Sequence, residues 1–240
     1  MHTLAVEGLT KRYRGKEVVS HVTLEVGSGQ VVGLLGPNGA GKTTTFYMVV
    51  GMIPPDAGRI ILDGENIIDL PMYKRARKGI SYLPQEPSVF RKLSVRDNLL
   101  LVVEMLGLSR EEQKKRLDGL LGELGLDRIA DRMANSLSGG ERRRVEITRA
   151  LAISPTFILL DEPFAGIDPI AVLDIQSIIT QLTAKGIGVL ITDHNVRETL
   201  GICDIAYILN EGKILESGDR DRIVNSRRAR EIYLGDGFRL

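Results

Sequence analysis

Residues 36–43 read GPNGAGKT, directly after the apolar run Val31–Leu35 and before residues 43–51, whose apolar side chains have helical spacing. Glycines let the backbone turn sharply, so that successive N–H groups converge on one phosphate, and the N-terminus of the following helix adds partial positive charge. Lys42 is placed to reach the β and γ phosphates of a nucleotide, and the Thr43 hydroxyl to coordinate Mg²⁺. This order of strand, glycine loop and helix predicts a site for a nucleoside triphosphate.

A second apolar run ends in two acids. Residues 157–160 are Phe-Ile-Leu-Leu, and Asp161 and Glu162 follow at once. In an open parallel sheet the carboxyl ends of the strands meet at one edge, so these carboxylates are expected beside the glycine loop. Asp161 is predicted to bind Mg²⁺, directly or through water, and Glu162 to act as a general base on the attacking water. Buried strands often end in acids, and the pairing with the lysine loop favours the catalytic interpretation.

The remaining sequence predicts an α/β fold with a helical insertion. Short apolar strands alternate with helices, which indicates a mostly parallel sheet flanked by helices. Alternation of period two in the first 35 residues adds an antiparallel β part at the N-terminus. We predict a single domain, residues 1–240, in which a P-loop NTPase core (about 1–87 and 157–240) carries a helical subdomain (about 88–156).

Composition and charge exclude several classes of protein. The 240 residues are 43% hydrophobic and 26% charged, as in average soluble domains, which excludes disordered and collagen-like chains. Net charge is +1, so no global positive field favours nucleic acid as a partner. Apolar runs such as residues 99–103 are far shorter than the roughly 20 residues of a membrane-spanning helix. No secretion signal is expected at the N-terminus, and Cys203, the single cysteine, is expected to be a packed residue in a reducing cytoplasm.

Between the two phosphate motifs lies a third, residues 137–141, which reads LSGGE. It resembles the signature of the ATP-binding cassette (ABC) ATPases. Further positions agree with that family in order: Gln85 resembles the Q-loop glutamine, residues 164–168 (FAGID) the D-loop, and His194 the switch histidine. Tyr13 lies where the family has an aromatic residue that stacks on adenine. The resemblance covers essentially the whole chain.

The signature has a physical reading of its own. Ser138 opens a helix, which makes a second anion-binding helix N-terminus, although a well-capped helix is an equally good explanation. The resemblance implies that two cassettes pair head to tail and that Ser138 and Gly140 contact the γ-phosphate bound by the partner. The three arginines that follow, residues 142–144, are expected to be solvated or to lie at an interface.

The other family positions also have ordinary explanations. A histidine after a strand often only packs or caps, and a glutamine near a loop is unremarkable. The resemblance implies that His194 holds the γ-phosphate and the attacking water, and that Gln85 binds Mg²⁺ and relays its state to the partner domain. Asp168 before Pro169 is a plausible helix N-cap, which is compatible with a D-loop role.

These arguments give three sets of expected site residues. The catalytic residues are Glu162, His194, Gln85 and Lys42. The residues that bind Mg²⁺ are Thr43, Gln85 and Asp161. The residues that bind ATP are Tyr13, Gly36, Pro37, Asn38, Gly39, Ala40, Gly41, Lys42, Thr43, Thr44, Ser138, Gly139, Gly140 and Asp168.

Longer segments resemble one branch of the family, the cassettes that drive lipopolysaccharide export in Gram-negative bacteria. They are residues 33–51, 82–99, 137–147, 157–169, 189–200 and the C-terminal octet 233–240, YLGDGFRL. This branch implies a homodimer on two transmembrane permease subunits, peripheral on the cytoplasmic face of the inner membrane. Branched-chain amino-acid importers share several of these segments, and cassettes of iron–sulfur-cluster assembly share every catalytic motif, so the cargo stays open.

The segment after Gln85 is the expected point of coupling to the membrane subunits. Residues 86–93 would move with a change at Mg²⁺ or the γ-phosphate. Glu86, Phe90 and Arg91 offer an apolar anchor and charges for a helix of the partner.

Overall fold

The computed structural model describes residues 1–235 and 237–238. Residues 236, 239 and 240 of the C-terminal octet lie outside the described residues. The strands are β1 Thr3–Tyr13, β2 Lys16–Gly27, β3 Val31–Leu35, β4 Ala57–Leu62, β5 Glu65–Asn66, β6 Ile80–Leu83, β7 Phe157–Asp161, β8 Gly188–Thr192, β9 Ile205–Asn210 and β10 Lys213–Gly218.

The helices lie between these strands and at the C-terminus. The α-helices are α1 Lys42–Val50, α2 Met72–Arg77, α3 Val95–Glu104, α4 Arg110–Glu123, α5 Gly139–Leu151, α6 Pro169–Ala184, α7 Val196–Leu200, α8 Arg220–Asn225 and α9 Arg227–Ala229. Short 3₁₀ turns cover Asp127–Ile129 and Ala134–Ser136, and a π-helical turn covers Arg230–Leu234. Within the described part of the chain, none of the helices is long and apolar enough to cross a membrane.

The strands form two sheets. The larger has the order β10-β9-β3-β8-β7-β6; its strands are parallel except β10, which pairs antiparallel with β9. The smaller is antiparallel, with the order β2-β1-β4-β5. The predicted P-loop NTPase fold, with a mostly parallel sheet and an N-terminal antiparallel part, is confirmed. Because β3, β8 and β7 are parallel, the glycine loop and the two acids emerge at the same edge of the sheet. Strand β8 lies between β3 and β7, so the loop and the acids are two strands apart.

Both faces of the parallel sheet are buried, which explains its uninterrupted apolar strands. In β7, Phe157 and Leu159 pack into the core shared with the antiparallel sheet and α1. Ile158 and Leu160 face the opposite way, into a second core shared with α3, α4, α5 and α6. The catalytic edge of the sheet is therefore held between two cores.

Helices α3, α4 and α5 follow one another between β6 and β7. Helix α4 begins with a complete capping box, in which Ser109 and Glu112 satisfy each other's backbone N–H groups. Its Leu117, Leu120 and Leu121 lie on one face and are buried. Burial of this face holds α4 against α3 and α5. The signature segment lies at the N-terminus of α5 and is supported by this packing.

Candidate functional site

Two glycines of residues 36–43 let the loop pass close to neighbouring backbone. Gly36 has φ 147°, and a Cβ there would lie 2.0 Å from the carbonyl oxygen of Leu209. Gly41 has φ 104°, and a Cβ there would lie 2.6 Å from the carbonyl oxygen of Val18. Any other residue at either position would meet both a strained backbone and a fixed peptide group. Close packing against neighbouring backbone therefore requires glycine at both ends of the loop.

Lys42 is buried at the start of α1. Its Nζ donates to the carbonyl oxygens of Gly36, at 2.7 Å, and Pro37, at 3.1 Å. Burial lowers the pKa of Lys42, while the carboxylates of Glu162 and Asp161 act in the opposite direction. The ammonium is thus fixed inside the loop, where the phosphates of a nucleotide would supply stronger acceptors.

An open cleft of about 550 Å³ lies in front of the loop. The N-cap of α1 is Gly41, which has no side chain that could accept hydrogen bonds from the first N–H groups of the helix. The N-terminus of α1 is therefore available to bind an anion. Thr43 is exposed, as are Asn38 and Gly39. The lining residues are Val18, Asn38, Gly39, Gly41, Lys42, Thr43, Thr44, Gln85, Glu162 and His194. The cleft thereby unites the phosphate loop with three of the predicted catalytic residues.

Glu162 lies between two of these residues. Nε2 of Gln85 donates to one carboxylate oxygen at 2.7 Å, and Nε2 of His194 lies 2.7 Å from the other. The backbone at Glu162 has φ +48°, a left-handed conformation that is unusual for glutamate, and its N–H donates to Thr192. This turn at the end of β7 aims the carboxylate into the cleft. Strain of this kind is found where function requires a fixed side-chain position.

Asp161 lies deeper, at the last position of β7. The hydroxyl of Tyr82 donates to its carboxylate at 3.2 Å. Burial raises the pKa of Asp161, and the hydrogen bond from Tyr82 partly opposes that shift. On the adjacent strand, Thr192 is in register with Asp161, and its buried Oγ1 has no hydrogen-bond partner among the residues that the structure describes. A buried acid beside an unsatisfied hydroxyl favours a further polar ligand at this point.

The donor set at this edge fits Mg²⁺. Thr43 offers a hydroxyl, Asp161 a carboxylate, and Gln85 an amide oxygen, since its amide nitrogen is bound to Glu162. Among the described residues, no group of three or more His, Cys, Asp and Glu side chains could hold a metal ion. Mg²⁺ needs no such cage, because it binds through one or two protein oxygens together with phosphates and water. A divalent ion here would accompany the nucleotide.

Arg143 contradicts the expectation of a solvated or interfacial arginine cluster. It is 5% exposed, and its guanidinium donates to the backbone carbonyls of Pro84, at 2.8 Å, and Asp161, at 3.1 Å. Glu146 pairs with it at 3.2 Å. The sequence held a signal for this, because Arg143 precedes the buried Glu146 and Ile147 by three and four positions, on one helix face. Arg143 joins α5 to the chain just before Gln85.

Asp193 is a second supporting residue that sequence reasoning missed. Its buried carboxylate accepts the backbone N–H groups of Phe164 and Asn195, each at 2.8 Å. Burial raises the pKa of Asp193, which these hydrogen bonds oppose. The acid ties the loop after Glu162 to the loop that carries His194. Its place directly after β8 matches that of Glu162 after β7, a signal that was present in the sequence.

Ser138, Gly139 and Gly140 do not line the cleft around Lys42, although Gly139 shares a neighbouring pocket with Gln85 and Glu162. Ser138 caps α5 and forms a capping box with Glu141. A Cβ on Gly140 would lie 2.7 Å from Cβ of Ala171, so glycine permits the close approach of α5 to α6. Ser138 and Gly139 are exposed. Within one chain, then, the signature does not meet the phosphate loop.

Tyr13 and Asp168, which were also predicted to bind ATP, lie outside the cleft lining, as do Gly36, Pro37 and Ala40 of the loop. Tyr13 ends β1 with its ring 44% exposed, and Lys11 Nζ lies 5.6 Å from the ring centre. Val18, which sequence reasoning missed, lines the cleft on that side. Asp168 is the N-cap of α6 and accepts the N–H groups of residues 170 and 171 at 3.1 and 3.0 Å.

Lys42 and Glu162 thus face one cleft at the carboxyl edge of a parallel sheet, and this arrangement defines the class of P-loop nucleoside triphosphatases. Comparison with known families narrows the class. The ABC transporter family matches residues 19–165. The chain belongs to this family, as an ATP-hydrolysing cassette.

Relatives of the chain match it over its full length. It is 60% identical over 237 residues to the lipopolysaccharide export system ATP-binding protein LptB of Acidithiobacillus ferridurans, covering 99% of this chain and 98% of that protein. It is 56% identical over 241 residues to LptB of Escherichia coli K12, covering all of both chains.

Solved ABC structures share the fold. The ADP conformation of the cassette MJ1267 superposes with a TM-score of 0.88 at 30% identity, covering 98% of this chain and 100% of that one. A dimeric structure of the bacterial cassette MJ0796 superposes with a TM-score of 0.79 at 26% identity, covering 90% and 98%.

Proposed function

We propose that this chain is the ATP-hydrolysing subunit of a lipopolysaccharide export transporter, acting as a homodimer beneath two transmembrane permease subunits at the cytoplasmic face of the inner membrane. Identity of 56–60% along the whole chain to proteins with that name supports this cargo over a branched-chain amino-acid importer or an iron–sulfur-assembly cassette. The observation that carries the ATPase assignment is Glu162, held between Gln85 and His194 in the cleft that contains Lys42.

The geometry supports a specific division of labour in hydrolysis. Lys42 and the N-terminus of α1 bind the β and γ phosphates. Glu162 accepts a proton from the water that attacks the γ-phosphate, while His194 and Gln85 fix the carboxylate. Thr43, Asp161 and Gln85 would hold Mg²⁺, which would supply positive charge to neutralise the phosphates. The residues of the chain otherwise act by positioning, which dominates catalysis of phosphoryl transfer.

The exposed signature supports a head-to-tail dimer. Ser138 and Gly139 are exposed and do not line the cleft of their own phosphate loop. The capping box occupies the N–H groups of residues 138 and 141, so the first turn of α5 could still present the N–H groups of Gly139 and Gly140 to an anion. A second copy, turned head to tail, would bring its γ-phosphate to this end of α5. The dimer of MJ0796 shows that a cassette of this fold pairs with a copy of itself.

An apolar groove of about 200 Å³ is the proposed docking site for a membrane subunit. It lies between α2, α3, α5 and β6, and Met72, Ala76 and Val102 are among its lining residues. Arg149 forms part of the wall, and its guanidinium lies 5.2 Å from the ring of Phe90, which is 51% exposed. Phe90 therefore presents an apolar anchor beside the groove. Glu86 and Arg91 are exposed in the same segment and are proposed to supply charges.

Phe90→Ala is expected to lower recovery of the membrane complex about tenfold or more, because truncating an aromatic anchor removes a large share of binding energy. Affinity for ATP should not change, since Phe90 lies outside the cleft. Co-purification of the membrane subunits measures recovery of the complex, and nucleotide titration of the isolated chain measures affinity for ATP. Ile232→Ala, at another exposed apolar side chain, is the matched control. Equal recovery of the complex with Phe90→Ala would remove Phe90 from the docking site.

The proposed cargo is tested by isolating the tagged chain from detergent-solubilised membranes of its native host and identifying the co-purifying proteins by mass spectrometry. Two membrane subunits of lipopolysaccharide export are the expected result, with stimulated ATP hydrolysis in the complex. An amino-acid permease would keep the ATPase assignment and overturn the cargo. A soluble assembly partner alone would remove transport from the function.

A further inference from the structure

Tyr82 contacts Asp161, the acid proposed to bind Mg²⁺, and is also one of the lining residues of the docking groove. It lies on β6, the strand at the edge of the parallel sheet next to β7. Its hydroxyl donates to the Asp161 carboxylate at 3.2 Å. One residue of β6 therefore contributes to the groove and contacts the proposed metal-binding acid.

The ring of Tyr82 is held by a neighbour on the phosphate helix. The ring of Tyr47, on α1, packs edge-on against it, with the ring centres 6.3 Å apart and the planes at 90°. In register on the next strand, Leu159 of β7 pairs with Tyr82 and fixes its backbone. Packing on α1 and pairing with β7 together set where the hydroxyl can lie.

The orientation of the Asp161 carboxylate depends on the hydroxyl of Tyr82. The Asp161 carboxylate is buried, and among the described residues the hydroxyl of Tyr82 is the side-chain donor that reaches it. Thr192, in register on the opposite side, does not hydrogen-bond to the carboxylate. Arg143 donates to the backbone oxygen of Asp161 and not to its carboxylate. The hydrogen bond from Tyr82 thus restricts the orientation of the carboxylate.

We propose that Tyr82 is a positioning residue, whose hydroxyl holds the Asp161 carboxylate in the orientation that binds the divalent ion of the nucleotide. The proposal rests on the proposed function, in which Asp161 binds Mg²⁺. Hydrogen-bond partners of metal ligands are typically worth 10- to 100-fold in metal affinity. The contact here is long and the ion is also held by phosphates, so the lower end of that range is expected.

Tyr82→Phe tests this, because phenylalanine retains the ring and removes only the hydroxyl. Isothermal titration with a non-hydrolysable ATP analogue, in excess Mg²⁺ and again in EDTA, separates the metal-dependent part of the affinity from the rest. We expect affinity in Mg²⁺ to fall about tenfold and affinity in EDTA to stay unchanged. A titration of Mg²⁺ at fixed analogue should show a half-saturating concentration about tenfold higher.

Tyr73→Phe is the matched control, since Tyr73 is 58% exposed on α2 and lies away from Asp161. It should leave both affinities unchanged. A purely structural role for Tyr82 would lower both affinities together with the melting temperature, and that result overturns the proposal. So does an unchanged Mg²⁺ dependence in Tyr82→Phe. If the wild-type chain itself bound the analogue equally in Mg²⁺ and EDTA, the metal role of Asp161 would fail first, and the proposal about Tyr82 would fail with it.

Discussion

Glu162→Gln is expected to slow ATP hydrolysis by about 10²- to 10⁴-fold while the chain still binds MgATP, because an amide cannot accept the proton of the attacking water. The replacement has the same shape, and its amide can still bond to Gln85 and His194, so the cleft should keep its geometry. Lys42 and the glycine loop are untouched, which preserves nucleotide affinity. Phosphate release and nucleotide titration measure the two effects.

The same variant should accumulate as an ATP-bound dimer. Closure of two chains on ATP precedes hydrolysis in the proposed cycle, and blocking hydrolysis removes the step that reopens the dimer. Gel filtration with and without MgATP detects the shift in mass. Glu65→Gln is the control, because Glu65 is exposed and pairs with Lys78 at 2.6 Å far from the cleft. Wild-type turnover in Glu162→Gln would show that another group is the base.

Lys42→Met should fail at an earlier step. Methionine keeps the length of the apolar stem but removes the charge that Lys42 places inside the phosphate loop. Loss of one preorganised electrostatic contact to the transferring phosphoryl group costs about 10²- to 10³-fold in turnover. Affinity for ATP should also fall, so that MgATP no longer produces a dimer. Steady-state hydrolysis and ATP titration together distinguish this defect from that of Glu162→Gln.

Stability should change little in Lys42→Met. The carbonyls of Gly36 and Pro37 lose a donor, which destabilises the fold, while removal of a buried charge stabilises it. We expect the free energy of unfolding to change by less than about 2 kcal/mol. Lys185→Met, at a half-exposed lysine that pairs with Glu123, is the matched control and should hydrolyse ATP normally. Normal ATP affinity in a folded Lys42→Met would contradict the assigned role.

Much of the architecture was predictable because local patterns determine it. The glycine loop follows β3 and precedes α1, as its sequence context indicates. The apolar run of β7 ends at Asp161, as an uninterrupted buried strand of a parallel sheet should. Strand order was not predictable in this way, because it depends on which strands pair. The position of β8 between β3 and β7 brings the loop and Glu162 to one cleft.

Contacts between distant segments were the part that sequence reasoning missed. Arg143 is an arginine in a run of three, and its helical spacing to Ile147 indicates a buried face but not the backbone carbonyls of Pro84 and Asp161 that it contacts. Tyr82 and Asp161 are 79 positions apart and meet because β6 and β7 are adjacent. Such pairings depend on tertiary packing. A sequence motif can therefore identify one residue of the pair, such as Asp161, but not its distant partner, such as Tyr82.

By itself, the sequence determined the class of chemistry and predicted which residues carry it. GPNGAGKT, the acids after β7 and LSGGE each require particular residue types, because phosphate contact, proton transfer and close helix packing have fixed chemical and steric demands. Only the tertiary structure decided the orientation of those side chains. The left-handed backbone at Glu162 turns its carboxylate between Gln85 and His194, and the packing of α5 against α6 directs Ser138 away from its own cleft. Side-chain direction depends on backbone angles and neighbours that many distant residues set together, so it is a property of the fold.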